Sequence, residues 1–250
     1  MATVLMPLPS TDFDPTESAV PWAILVATGH RVVFATPNGK GGNADPKMVG
    51  GQGLGPLAPM LRADANGQRA YAQMVASAEF LKPRSYGEIA NETFDALLLS
   101  GGHAPGMKAY LESTLLQQKV AEFFSAGKPV GAICHGVVLA ARSKLPSGLS
   151  VLHGRKTTAL TQQMEMSAWA LTRLWLGDYY RTYPITVQAE VTAALAHPGD
   201  FVQGPMSLRR DSPDNLNLGF AVQDGNYLSA RWPGDAHRFA TEFVMMLPKT

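Results

Sequence analysis

The sequence predicts a three-layer α/β fold built on a mostly parallel sheet, and three observations lead there. Phe94 to Leu99 and Pro129 to Ile133 are short apolar runs of the kind buried on both faces of a parallel sheet. Segments with helix start and stop signals alternate with such runs along the chain. At 250 residues, 46% of them hydrophobic and 16% charged, the chain has the length and composition to bury a full core.

The elements follow in order. Ala2 to Leu8 is a short apolar first strand. Asp14-Pro15-Thr16-Glu17 opens a helix with Asp as N-cap, Pro at N1 and an acid at N3, and Gly29 stops it after about Thr28. Pro21 argues against full regularity there. Val32 to Ala35 is a second strand, closed by Thr36-Pro37-Asn38-Gly39. From Gly39 to about Pro59 the chain is rich in Gly and Pro with little periodicity, which predicts a long functional loop. Ala65 to Leu81 reads as one helix, Phe94 to Leu99 as a buried strand, Leu111 to Ala126 as a helix stopped by Gly127. Pro129 to Ile133 is the next strand, with a helix from Gly136 to Ser143. Thr157 to Leu160 reads as a strand and Gln162 to Leu174 as a helix. Phe220 to Gln223, a turn at Asp224-Gly225-Asn226, and Tyr227 to Ala230 carry a hairpin signal. Pro233 to Leu247 is the closing helix. Without repeats or linkers, the simplest organisation is one domain, 1–250, with cap or lid insertions around 39–60 and 160–215.

Bulk properties narrow the function. A net charge of +1 offers no field for nucleic acid or a membrane surface. No run reaches the roughly 18 apolar residues of a membrane span, and MATVLMPLPS lacks the pattern of a signal peptide. One cysteine cannot form an internal disulfide, so a cytoplasmic location is expected.

That cysteine, Cys134, stands in Gly131-Ala132-Ile133-Cys134-His135-Gly136, at the turn from a buried strand into a helix. Such turns lie at the carboxyl edge of the sheet, where ligands of open α/β folds bind. Gly131 and Gly136 relieve crowding, and the following helix N-terminus favours thiolate. This suits a nucleophile elbow; the competing reading is a buried thiol acting as a small hydrophobe. Ser100-Gly101-Gly102-His103 ends another buried strand, and its backbone N–H groups are either oxyanion donors or those of an ordinary Gly-rich turn. Glu17 is either the second half of a capping box with Asp14 or a carboxyl group above the thiol.

DALLLSGG, then KPVGAICHG about thirty residues later, an early helical glutamate and a terminal DGNYLSARWP resemble the ThiJ/PfpI superfamily, of class I glutamine amidotransferase-like fold, over nearly the whole chain. The resemblance implies a flavodoxin-like sandwich with Cys134 as nucleophile, Glu17 as a protonated or proton-sharing acid at the thiol, and His135 beside it. It implies oxyanion donors on the backbones of Gly102 and His135. The long loop and the 160–215 segment resemble the larger, capped branch with glyoxalase-III-like and chaperone-like members. There a downstream acid completes a Cys–His–acid triad, which Glu165 matches; as a residue type Glu165 also suits a solvated helix face.

No His-x-Glu pair follows Cys134, as glutamine hydrolysis would require, and the six scattered histidines lack metal-ligand spacing. Neither a cofactor nor a metal is expected. His103, Arg155, Trp169 and Tyr179 are the candidate substrate-binding residues, within a wider aromatic and arginine set that includes Trp175, Tyr180, Arg181, Tyr183, Arg209, Arg210 and Arg231; the two tryptophans also suit a core. The expected function is a cofactor-free cysteine enzyme for small α-oxoaldehydes, by covalent and acid–base catalysis, in a homodimer. The alternatives are a cysteine amidase or peptidase, a stress holdase, and a thiol redox sensor.

Overall fold

In the computed structural model, which describes residues 1–248, nine strands form two sheets: β1 Thr3–Pro7, β2 Thr11–Phe13, β3 Arg31–Thr36, β4 Asn43–Ala44, β5 Arg84–Ser85, β6 Ala96–Leu99, β7 Val130–Ile133, β8 Ala221–Asp224 and β9 Tyr227–Ala230. Seven of them make one sheet in the order β5-β3-β1-β6-β7-β9-β8, while β2 and β4 pair separately. Every pair in the large sheet is parallel except β8 with β9. Every residue of β6, β7 and β9 is buried, and all but Tyr227 are small or aliphatic, as suits strands covered on both faces. Helices flank both faces, as in a flavodoxin-like sandwich. On one side Phe239 and Phe243, one turn apart in the helix Ala236–Met246, lie against Gly131, where any Cβ would meet their rings at 3.0 and 2.9 Å. On the other, Thr114–Ser125 and Gly136–Arg142 pack on β6.

Chain order reverses across β1 and β6, which places a crevice at the carboxyl ends of the central strands. The helix Pro15–Ala27 leads away from that edge. Its Pro21 is tolerated because Pro21 has no N–H to give the Glu17 carbonyl, and that carbonyl accepts the Ser100 hydroxyl at 3.3 Å instead. The proline thus releases an acceptor that ties the first helix to the end of β6.

Several expected elements differ. The loop after Gly39 contains β4 and the helix Pro46–Gly50, capped by Asp45. Ala65 to Leu81 is two helices, Ala65–Val75 and Ala78–Leu81, because the Ser77 hydroxyl accepts from Phe80 N and starts a new one. Thr157 to Leu160 is not a strand: Thr157 makes a single bridge with Phe201, and Thr158 N donates to the Ser229 hydroxyl at 2.9 Å. The edge strand β5 and the helix Val187–Ala193 carried no strong sequence signal. Residues 249 and 250, included in the expected domain, lie outside the described residues.

A second, smaller apolar cluster joins the two segments expected to form a cap. Met48, Leu54 and Tyr180 are its buried centre, with Leu61, Ala168 and Trp169 packed around them. It lies beside the cavity described next.

Candidate active site

Cys134 follows β7 directly and has φ +56°, in the left-handed region that a non-glycine residue rarely adopts. Its N–H donates to Ala230 O at 3.0 Å, which holds the turn against β9. The segments leaving the parallel strands β6 and β7 come so close here that a Cβ on Gly136 would lie 2.3 Å from Leu99 O, and one on Gly101 would lie 2.5 Å from a Glu17 oxygen and 2.8 Å from Cys134 Cβ. The glycines flanking the thiol are therefore set by close approach.

The capping question is resolved by the geometry. The Asp14 carboxylate accepts from Thr16 N at 2.8 Å and Glu17 N at 3.0 Å. Glu17 does not reach back: Asp14 N donates to Gly101 O at 2.9 Å. The Glu17 side chain is fully buried, turned toward the Cys134 thiol and the Gly101 amide, and neither oxygen has a well-formed hydrogen bond among the described residues. Burial first, then the neighbouring Asp14 charge, raise its pKa well above the ordinary carboxylate value, so Glu17 is held as a neutral acid. Burial also raises Asp14.

The same burial governs the sulfur. Cys134 is 4% exposed, and desolvation, followed by the Glu17 carboxyl beside it, pushes the thiol well above its ordinary range. Two effects oppose each other at this sulfur: the His135 N–H at the helix start lowers the thiol pKa, and desolvation, the larger, raises it.

His135 Nδ1 lies 3.5 Å from Cys134 Sγ, and His135 Nε2 lies 3.0 Å from Thr182 Oγ1. Thr182 has one hydroxyl hydrogen, donated to His103 O at 2.6 Å. Its oxygen therefore accepts from His135 Nε2–H, which leaves the Nδ1 lone pair facing the sulfur. Burial lowers the pKa of His135, and likewise of His103, to about 3, so both are neutral.

Glu165 does not touch this chain of groups. Its carboxylate accepts from Val187 N at 2.9 Å and pairs with Arg181 at 3.3 Å, so the triad expected through Glu165 is not assembled; Thr182 holds the position on Nε2. Glu165 does line the cavity wall. Gly102 N and His135 N have no backbone or side-chain carbonyl acceptor among the described residues.

The candidate binding residues separate. His103 lines the cavity, stacked on Tyr180 at 4.3 Å between centroids and edge-on to Tyr179 at 4.9 Å. Tyr179 stands behind it and donates its hydroxyl to Asp45, whose pKa burial raises to about 6. Trp169 packs in the second apolar cluster and donates to Asp178. Arg155 is a correction: its guanidinium lies over Phe124 and near Asp224 O and Asn226 Oδ1, beside the start of β7. Cys134 is four strand residues away, roughly 13 Å. Arg231 is fully buried in an ion pair with Asp235.

Thr182 and the cavity role of Asp14 were missed. Asp14 was visible only as a helix cap, and nothing in the local sequence marks Thr182, which reaches His135 across 47 residues.

A cavity of about 150 Å³ opens over this site, with Asp14, Glu17, Gly102, His103 and Cys134 among its lining. Among the described residues no group of three His, Cys, Asp or Glu side chains is arranged to hold a metal ion, and no helix is long and apolar enough to cross a membrane.

Fold and site thus define an α/β protein with a cysteine on a strained strand-to-helix turn at the carboxyl edge of its sheet. A family model described as ThiJ/PfpI family-like matches residues 8–205, and the chain belongs to that family. It is similar to a deglycase of Thermococcus kodakarensis, 27% identical over 163 residues that cover 65% of this chain and 68% of that protein. It is also similar to the DJ-1 homolog D of Arabidopsis thaliana, 30% identical over 143 residues, 57% of this chain; those residues span only 31% of the Arabidopsis protein. The solved structure of glyoxalase III from Candida albicans superposes with a TM-score of 0.69 at 18% identity, covering 99% of this chain and 98% of that one, which shows a shared fold.

Proposed function

We propose that this chain is a cofactor-independent cysteine enzyme that converts 2-oxoaldehydes to 2-hydroxy acids. The observation that carries this reading is the placement of Cys134 between two neutral groups of opposite use: the Glu17 acid on one side and the bare His135 Nδ1 on the other. The names of the similar proteins, a deglycase and a glyoxalase III, agree with carbonyl chemistry.

The steps balance without an added oxidant. The Cys134 sulfur adds to the aldehyde carbon, the thiol proton passes through His135 to the former carbonyl oxygen, and a hemithioacetal results. Gly102 N and His135 N serve as donors to that oxygen as it gains charge. His135 then removes the hydrogen on the former aldehyde carbon while Glu17 protonates the ketone oxygen, giving an enediol. Return of the carbon proton to the neighbouring carbon, with the other enol proton passing to Glu17, gives a thioester. Water hydrolyses it, releasing the hydroxy acid and restoring the thiol. His135 is a weak base at rest; negative charge developing on the adjacent sulfur raises its basicity when it is needed.

The test is lactate formation from methylglyoxal. Many equivalents per protein support the reading. Stoichiometric aldehyde loss without lactate, as heat-denatured protein would show through its Lys and Arg side chains, refutes it.

A further inference from the structure

We infer that the carbonyl compound this site takes carries an apolar tail of several carbons, lying along the cavity wall with its reactive end at Cys134. The inference rests on the reading above and names its substrate class.

The cavity is chemically divided. Its reacting groups, Cys134 and Glu17, are buried at the floor, while Met48, Met60, Leu61, Met164, Leu171 and Trp232 form walls above them. A three-carbon oxoaldehyde has almost no apolar surface to place against such walls. Ligand sites are ordinarily lined by apolar side chains, with a few polar groups fixing one end of the ligand.

The rim carries the same message. Met60 is 43% exposed, Leu171 52%, Met206 51% and Leu208 70%, and all four line this one cavity. Singly scattered apolar side chains need no explanation, but a cluster around a concave site marks something apolar that covers it. Four methionines in the lining, Met48, Met60, Met164 and Met206, make a wall that adapts to tails of different shape.

The Arg210 guanidinium lies over the Trp232 ring and gives its Nη2 to Leu61 O and Arg62 O, while its buried Nη1 has no hydrogen-bond partner among the described residues.

The experiment has a kinetic and a non-kinetic arm. In the first, kcat/KM is measured for methyl-, propyl-, pentyl- and heptylglyoxal. The expected result is a rise of about two- to fourfold per methylene until the cavity is filled, the factor that burial of a methylene supplies. Leu171→Glu, on an exposed helix position, should lower the ratio of heptyl- to methylglyoxal turnover at least tenfold. In the second arm, calorimetry follows unreactive 2-butanone, 2-octanone and 2-undecanone on the native protein. Affinity should tighten with length, with a negative heat-capacity change.

Turnover of methylglyoxal with no gain on longer tails, or ketone affinity independent of length, overturns the inference while leaving the oxoaldehyde reading standing. Length-dependent ketone binding with no glyoxal turned over sinks that reading and supports the apolar-tailed ligand. A homodimer that sedimentation shows to be broken by Leu171→Glu, with ketones failing to bind, means that a second copy covers the rim, and the inference fails.

Discussion

The Thr182 hydroxyl stands between His135 Nε2, at 3.0 Å, and His103 O, at 2.6 Å, and because its single hydrogen goes to the carbonyl it fixes the imidazole tautomer. Thr182→Val should lower kcat by roughly 10- to 100-fold, the scale on which second-layer orienting groups act, and Thr182→Ser should restore most of it. Nitrogen chemical shifts give a readout independent of turnover. In wild type, His135 should show protonated Nε2 and bare Nδ1, unchanged from pH 8 to 5, because its pKa is about 3. Loss of that single tautomer in Thr182→Val is the expected companion result.

Glu17→Gln separates chemistry from packing. A neutral amide replaces a neutral acid of the same shape, so the fold should survive while turnover falls about 100-fold or more. Stability carries a sign. Folding raises the Glu17 pKa above its ordinary 4.5, so the native state binds the extra proton and wild type loses stability as pH climbs above about 4.5. The variant lacks that loss, and the stability of Glu17→Gln relative to wild type should increase from pH 5 to pH 8. Chemical denaturation at the two pH values measures it; a difference constant with pH would mean that Glu17 is ionised in the native state.

Cys134 should resist labelling at neutral pH. Its thiol is buried and held neutral, so iodoacetamide should react more slowly than with free cysteine at pH 7, gaining only above pH 9. Under mild peroxide the exposed Met206 and Met245, 51% and 71% exposed, should oxidise before Cys134. Peptide mass spectrometry reads both, and rapid labelling near pH 6 would identify a thiolate.

Arg155→Ala should leave turnover within about twofold and cost about 1 kcal/mol or less, since only a cation–π contact with Phe124 and two long hydrogen bonds of 3.4 Å are lost. Steady-state kinetics and a melting curve test this placement.

Much of the frame was legible in residues. The fully buried β6 and β7 announced themselves as apolar runs, Asp14-Pro15 as a helix start, and Gly131 to Gly136 as a tight turn around the thiol, since each signal is local. What depended on distance was not. Thr182 meets His135, and Arg155 meets Asn226, through folding that no local pattern records. Glu165 has the residue type of a triad acid, but its oxygens are engaged by Val187 N and Arg181. The thiol itself shows the same limit: the turn and helix could be read, while desolvation by the walls around it could not.

The measurement closest to the central claim is lactate production by Cys134→Ala. The substitution removes one sulfur atom from a turn whose backbone is held by Ala230 O and the surrounding glycines, so a melting curve should show a folded protein. With methylglyoxal, wild type should form many equivalents of lactate and the folded variant none above the heat-denatured control. Lactate formed by folded Cys134→Ala at more than a few per cent of the wild-type rate would contradict covalent catalysis by this thiol.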